Sequence, residues 1–539
     1  MMKQYALKLF LFLHIWKNNL YNLWRGRISP AGFWYLFQKQ LVVMAVFRNA
    51  KYSRLGKRIF IDPFAPYFPS PFFLQVIDNN GVDTYPLKPN YAQISITNTC
   101  PCRCIHCHVQ NTEEPDVPRE TFVNLIREIA NQDFPLLFFV GGEPFSRFEN
   151  LVEYVREANK YMDTRVFTSG IGVTRARLQH LKKAGLKGLC VSLDGHEAAL
   201  HNARRQHPEA FAAACFTIRE AQKLGFYVSA VCCLTRSMIQ SGDFSRVVDL
   251  AESLGAHSIQ LNEIRPVGAA FQANDPDLFL TPDDKNILIE FYTRMNQGPR
   301  PMAISMPWYL EEPYNLGCTA TSAQKVYVDA RGNVQPCELL KISLGNITRE
   351  PFSKIWQRFR KTCRFPVKDC IVWHYNSLIA KATNLPLDPE VTQRTWPAVY
   401  EIEQAECGKK IPVKEALNSP AYFQQTYSLN LRPHLDFIIK GRHWLPRKLG
   451  VPFVAFARTL YCRDAYTKTP AHEYLHLAQC HRWGLPRFAA HYLFHLVKNW
   501  LQTKNLGQAF AQVPFEIEAR TYEECQRTAA QAPLQEGEP

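Results

Sequence analysis

Between residues 92 and 264, short β-branched or aromatic runs alternate with longer segments whose apolar residues recur every three or four positions. The runs at 93–97, 136–140, 165–168, 188–193, 226–232 and 258–262 read as strands, and 118–131, 147–160, 174–184, 208–224 and 241–254 as helices. Such βα repeats predict a parallel sheet with right-handed crossovers, either open and doubly wound or curled into a partial barrel. Residues 1–60 read as two aromatic-rich amphipathic helices parted near Arg27 to Pro30, and four prolines (63, 66, 69, 71) mark an extended lead-in over 61–90. Residues 311–384 read as a compact region with one hairpin, 326–329 and 334–337, about Arg331-Gly332-Asn333. After a Pro-rich linker at 384–390, residues 395–539 read as mainly helical, with a disordered tail from 529.

Charge changes this picture in one respect. The 539 residues hold 63 Lys+Arg against 48 Asp+Glu, a formal +15, in an otherwise ordinary globular composition. Eleven of those cations, and no acid, lie in residues 1–61, and residues 431–505 carry twelve against three. The excess is therefore local, which disfavours a uniformly basic nucleic-acid binder and points to contact between the basic ends and an anionic membrane or acidic substrate. The apolar run at 9–13 imitates a signal segment without a cleavage site, and no run of eighteen clean apolar residues follows, so a spanning helix is not expected. Sixteen cysteines, clustered at 100–107 and 318–370, suit metal ligation in a reducing compartment better than a disulfide scaffold.

The first predicted strand runs into Cys100-Pro-Cys102-Arg-Cys104-Ile-His106-Cys107. Thiolates of Cys100, Cys104 and Cys107 in C-x3-C-x2-C spacing can take three corners of a cubane iron–sulfur cluster and leave its fourth iron open. Cys102 reads as a bystander. A zinc knuckle completed by His106 or His108, or a set of free thiols, is the alternative. The second strand ends in Gly141-Gly142-Glu143-Pro144, and the fourth in Ser192-Leu193-Asp194-Gly195, with Arg204 twelve residues beyond Ser192. These motifs fall at the C-terminal ends of predicted strands, where parallel barrels place their chemistry.

Taken together, residues 91–310 resemble the radical S-adenosylmethionine (SAM) superfamily, which implies a partial (βα)6 TIM-type barrel. The resemblance implies a [4Fe-4S] cluster on Cys100, Cys104 and Cys107. It also implies that Gly141, Gly142, Glu143 and Pro144 grip the methionine amino group, while Ser192 and Arg204 bind its carboxylate. His106 stands where the family often has an aromatic residue. The implied chemistry is reductive cleavage of SAM to a 5′-deoxyadenosyl radical that abstracts hydrogen from carbon, with electrons from a donor such as ferredoxin or flavodoxin. A cytoplasmic location follows, peripheral at the membrane's inner face.

Cys318-x13-Gly332-x4-Cys337, with Cys363 and Cys370 beyond it, resembles the SPASM and twitch extensions of that superfamily. The resemblance implies one auxiliary iron–sulfur cluster in a small α+β domain, with Cys363 the least regular ligand; ordinary buried thiols are the alternative. Further on, His472-Glu473-Tyr-Leu-His476 puts two imidazoles on one helical face, able to share zinc, with Glu473 placed to polarise a water. This segment resembles small zinc metallopeptidase-like domains, which implies Glu518 as the third ligand. A metal-free helix packing two histidines is the alternative, as is a second pair at His491 and His495. The combined expectation is a radical SAM enzyme acting on a peptide, with a lipid or other small molecule as the alternative substrate. A non-enzymatic iron–sulfur or zinc scaffold binding nucleic acid is the third reading.

Overall fold

The computed structural model describes residues 2–26, 49–79, 89–109, 115–311, 318–362 and 370–373, with scattered positions elsewhere that include three short strands between 438 and 462. The chain divides into two units, residues 1–40 with 47–401, and residues 41–46 with 402–539.

The first unit is built on a ten-stranded sheet. Seven parallel strands form its body in chain order: β3 (Tyr91–Ser95), β4 (Leu136–Val140), β5 (Asp163–Thr168), β6 (Gly188–Ser192), β7 (Tyr227–Leu234), β8 (Ser258–Glu263) and β9 (Ala303–Ser305). A doubly wound sheet reverses its strand order partway; the body β3–β9 never does, which selects the barrel-like winding. The barrel stays open. β9 ends one edge, and beyond β3 the sheet continues into β10 (Lys325–Val328), β11 (Asn333–Gln335) and β12 (Gly345–Asn346). β9 and the capped helix Pro282–Gln297 carried no recognised pattern in the sequence.

Alternation along the strands sorts the core. In β4, Leu137 and Phe139 join the main core with Phe122, Leu125, Ile126 and Ile129 of the helix Arg119–Ala130, a spacing that gives that helix one apolar face. Leu136 and Phe138 join a second cluster on the other face, with Cys190, Val231, Phe64, Tyr91 and Phe167. The predicted hairpin pairs Tyr327 with Gln335 and Val328 with Val334. Its turn is held by the Asp329 carboxylate, which accepts from the N–H groups of Arg331 and Asn333 at 2.9 Å, while Gly332 adopts φ +86°. β10 then pairs in parallel with β3, from Lys325↔Tyr91 to Val328↔Ile94.

Two expectations for the N-terminal stretch change. Residues 2–24 form one helix, Met2–Trp24, but residues 53–60 form a hairpin instead of helix: β1 (Ser53–Leu55) and β2 (Arg58–Phe60), turning at Gly56, φ +60°. Strands this short show no alternation long enough to read. The expected lead-in also does more than connect. Phe60 stacks on Tyr227 with centroids 4.0 Å apart, and Phe64 packs on Tyr91 and Phe138. Arg165, 1% exposed, lies 5.2–6.0 Å from the rings of Tyr227, Phe60 and Phe138 and donates to the Ala65 carbonyl at 2.6 Å. Residues 60–67 thus plug the barrel among the early strand residues.

In the second unit, β13 (Ile438–Lys440) pairs in parallel with β15 (Thr459–Cys462), which pairs antiparallel with β14 (Phe453–Phe456). This sheet lies within the stretch expected to be mainly helical. His472, Glu473, His476 and Glu518 lie outside the described residues.

Candidate active site and auxiliary cysteine group

The loop after β3 is shaped by backbone contact with its neighbours. The Gly142 N–H donates to the Thr97 carbonyl at 2.7 Å and the Glu143 N–H to that of Thr99 at 2.8 Å. A Cβ on Gly141 would sit 2.5 Å from the Thr97 oxygen, and one on Gly142 would sit 2.3 Å from the Thr99 oxygen. Both glycines are thus required by the approach of the β4 end to the root of the cysteine loop. On the other side, the N–H groups of Arg103 and Ile105 donate to the carbonyls of Arg205 and Arg204 at 3.1 and 3.0 Å. The loop is clamped between the ends of β4 and the helix Ala198–Arg205.

The Cys102 thiol lies beside those of Cys100 and Cys104, and Cys107 lies within electrostatic reach of Cys104. Contact with Cys100, partly offset by Cys104, raises the Cys102 thiol to about 11. Contact with Cys102 and burial raise Cys104, and burial raises Cys107. The Arg205 guanidinium opposes these shifts, its Nη1 lying 3.5 Å from the Cys104 Sγ. Thiols gathered on a clamped loop beside a buried cation form a donor set suited to an iron–sulfur cluster, whose binding displaces their protons.

The Glu143 carboxylate is held by the chain around it. It is 1% exposed, and accepts from the Phe145 N–H (3.1 Å), the Thr168 hydroxyl (2.7 Å), the Ser169 N–H (2.7 Å) and the Ser169 hydroxyl (2.6 Å). Burial raises its pKa, against those four bonds. Through these bonds Glu143 ties the end of β5 to the end of β4. Pro144 is buried at the start of the single turn Pro144–Arg147.

Ser192 ends β6 and is half-buried. The Arg204 guanidinium reaches the Asp194 carbonyl at 2.5 Å and the Thr235 hydroxyl at 3.5 Å, which brings both predicted carboxylate-binding residues to the β6–β7 end. Between them lies a group the sequence reading passed over. Asp194 is fully buried; its Oδ2 is 2.5 Å from Arg205 Nε, its Oδ1 accepts from the Cys233 N–H at 2.7 Å, and its own N–H donates to His201 Nδ1 at 3.0 Å. Burial would raise the Asp194 pKa, but Arg205 and then His106 overcome it and hold it at about 2. His106 lies 3.8 Å from the same carboxylate, and burial pushes its imidazole down to about 4. His106, Asp194 and Cys233 present ligand atoms within 4.8 Å of one another, a group that includes none of Cys100, Cys104 and Cys107. His108 packs edge-on near Tyr327 at 6.4 Å. The readable signal for Asp194 and Arg205 was adjacency: each stands one or two residues from a motif residue already singled out.

In the second cysteine group Cys318 and Cys337 are buried and Cys370 is half-buried, while Cys363 lies outside the described residues. Burial, then Glu311 and Cys370, raises the Cys318 thiol to about 12. Burial raises Cys337 too, with Cys318 and Cys370 adding to it and Lys325 opposing. The described cysteines therefore share one neighbourhood. Lys325 lies within it, paired with Glu311 at 3.0 Å and held well above its ordinary pKa by that pair against its own burial.

Among curated proteins, the AdoMet-dependent heme synthase of Nitratidesulfovibrio vulgaris is 25% identical over 288 residues, 49% of this chain and 77% of that protein. The PqqA peptide cyclase of Streptomyces rochei is 25% identical over 282 residues, 50% and 75% of the two chains. Among solved structures, Streptococcus suis SuiB bound to precursor peptide SuiA aligns with 50% of this chain at 12% identity and a TM-score of 0.43; the chain covers 65% of SuiB. Residues 94–251 match the Radical SAM superfamily and residues 318–371 the SPASM iron–sulfur cluster-binding domain, so the chain carries a radical SAM enzyme domain joined to a SPASM domain.

Proposed function

We propose that the protein is a radical SAM enzyme that modifies a peptide by C–H activation. The observation that carries this reading is that two cysteine groups hang on one continuous sheet, the first after β3 and the second around the hairpin paired to β3. Cys100, Cys104 and Cys107 would hold the SAM-binding [4Fe-4S] cluster, and Cys318, Cys337, Cys370 and Cys363 would supply ligands to an auxiliary one. When bound, cluster and SAM supply one-electron reduction and a carbon radical able to take hydrogen from an unactivated C–H bond. The chain's part is to hold and shield. Gly141 and Gly142 let the two loops close together, Ser192 and Arg204 would bind the SAM carboxylate, and Arg205, fixed by Asp194, keeps positive charge beside Cys104. The similarity to PqqA peptide cyclase favours a peptide; the similarity to heme synthases supports a small-molecule substrate as the second reading.

An electron donor such as ferredoxin or flavodoxin and a cytoplasmic setting suit oxygen-sensitive clusters. For the C-terminal segment, the HExxH spacing supports zinc on His472, His476 and Glu518 with Glu473 activating water. Metal analysis of the full chain tests it, and zinc content unchanged in a His472→Ala/His476→Ala variant would remove it.

The main experiment is anaerobic cluster reconstitution with SAM and reductant. 5′-Deoxyadenosine is expected from the wild type and absent from a Cys100→Ala/Cys104→Ala/Cys107→Ala variant. A mass loss on an added peptide, abolished by Cys337→Ala, would identify the substrate class. No cleavage product from fully reconstituted protein would overturn the reading.

A further inference from the structure

The helix Met2–Trp24 is apolar on two sides, and the described residues pack closely on one of them. Leu11 and Ile15 are buried with Tyr52, Ile59, Phe68 and Phe73, and the Gln4 side chain exchanges two 3.0 Å hydrogen bonds with the Tyr52 backbone. These contacts fix which way the helix faces. The opposite stripe presents Leu9, Leu13, Trp16, Leu20 and Trp24, a spacing of four, three, four and four residues along one helical face. Trp24 is 78% exposed and Leu9 55%. Exposed Lys17 lies within the stripe, and Arg25 sits at its end with its guanidinium 5.6 Å from the Trp24 ring.

We propose that this face rests on an anionic lipid bilayer, with the helix lying in the interface plane. Apolar side chains of this size exposed in a row are costly in water, and aromatic residues mixed with lysine and arginine match the acyl–headgroup boundary. Charge selects the occupant: the charged side chains beside the stripe are exposed Lys17 and Arg25, and residues 1–61 hold no acid, so the surface met by this stripe is an anionic one. Among the described residues no helix is long and apolar enough to cross a membrane, and the Leu11–Ile15 side is already packed, so the helix lies flat. Such docking would hold the enzyme at the membrane surface. It stands independently of the radical chemistry.

The test is flotation of the full-length reconstituted protein with vesicles of phosphatidylcholine, alone or mixed with phosphatidylglycerol. Co-flotation is expected with the anionic vesicles. Leu13→Glu/Trp16→Glu/Trp24→Glu should lower it by ~10-fold or more, with iron content and the circular dichroism spectrum unchanged. Lys17→Glu/Arg25→Glu, which leaves the apolar stripe intact, should weaken it to a smaller degree and reduce its salt dependence. Absence of flotation, or flotation indifferent to both variants, would overturn the proposal. So would light scattering that finds a dimer converted to monomer by the triple variant, since a second copy would then cover the face.

Discussion

In the early part of the strands Arg165 is buried among three aromatic rings and a backbone carbonyl, whereas beyond their C-terminal ends Arg205 is buried against a carboxylate and a cysteine thiol. The carboxylates near these two cations respond in opposite ways. Burial raises Asp163 to about 6 in spite of Arg165, and raises Asp62 as well. Asp194, more completely buried than Asp163, is held down at about 2 because Arg205 and His106 outweigh burial. The plugged end needs a filled interior, and rings around a long side chain supply it whether or not the nearby acids ionise. The site end needs a fixed charge beside Cys104, which only a close, ionised pair provides.

The largest effect should follow from breaking that pair. Asp194→Ala leaves Arg205 buried without its partner and should cost ~3–5 kcal/mol in urea unfolding. Arg165→Met keeps the aliphatic contact with the rings and should cost less, ~1–2 kcal/mol. The reverse order would undo the comparison.

A pH series sharpens it. Because the folded state holds the Asp163 proton more tightly than the unfolded chain does, its ionisation lowers stability as pH rises from about 4 through about 6. Asp163→Asn removes that loss, so the variant should gain on wild type across this window by up to ~3 kcal/mol in denaturant midpoints converted to free energy. A constant difference from pH 4 to 7 would show that Arg165 ionises Asp163 after all.

Gly142→Ala probes the clamp at the site end. Its Cβ meets the Thr99 carbonyl, so the loop must move, at a cost of ~1–3 kcal/mol and with lower iron content on reconstitution. The smallest effect is expected for Cys102→Ala, which should retain wild-type iron where Cys104→Ala loses it. Equal losses would make Cys102 part of the ligand set despite its spacing.

The two ends also differ in how much the sequence reveals. β4 is Leu136–Val140 in the structure and in the hydrophobic pattern alike, and the helix Arg175–Ala184 follows a readable Thr174 cap and stops at Gly185 in φ +104°. The cysteine loop and the GGEP and SLDG motifs were likewise readable, because their chemistry depends on residues close together in the chain. The plug was not: Phe60, Phe64 and Arg165 acquire their meaning only when they meet across 100 residues. The same limit hid the difference between Arg204 and Arg205, neighbours in sequence that turn to different partners, the Asp194 carbonyl and the Asp194 carboxylate.

By itself, the sequence determined the repeating βα order, the two cysteine groups and the backbone freedom required at Gly141 and Gly142. These rest on local periodicity, spacing and the absence of a side chain. Only the tertiary structure decided that the strands wind in one direction, that β10 joins β3 across some 230 residues, and that Glu143 spends its carboxylate on Thr168 and Ser169. The reason is physical: edge pairing and the partners of a buried charge are settled by which distant groups must be satisfied once water is excluded, and no local pattern encodes that.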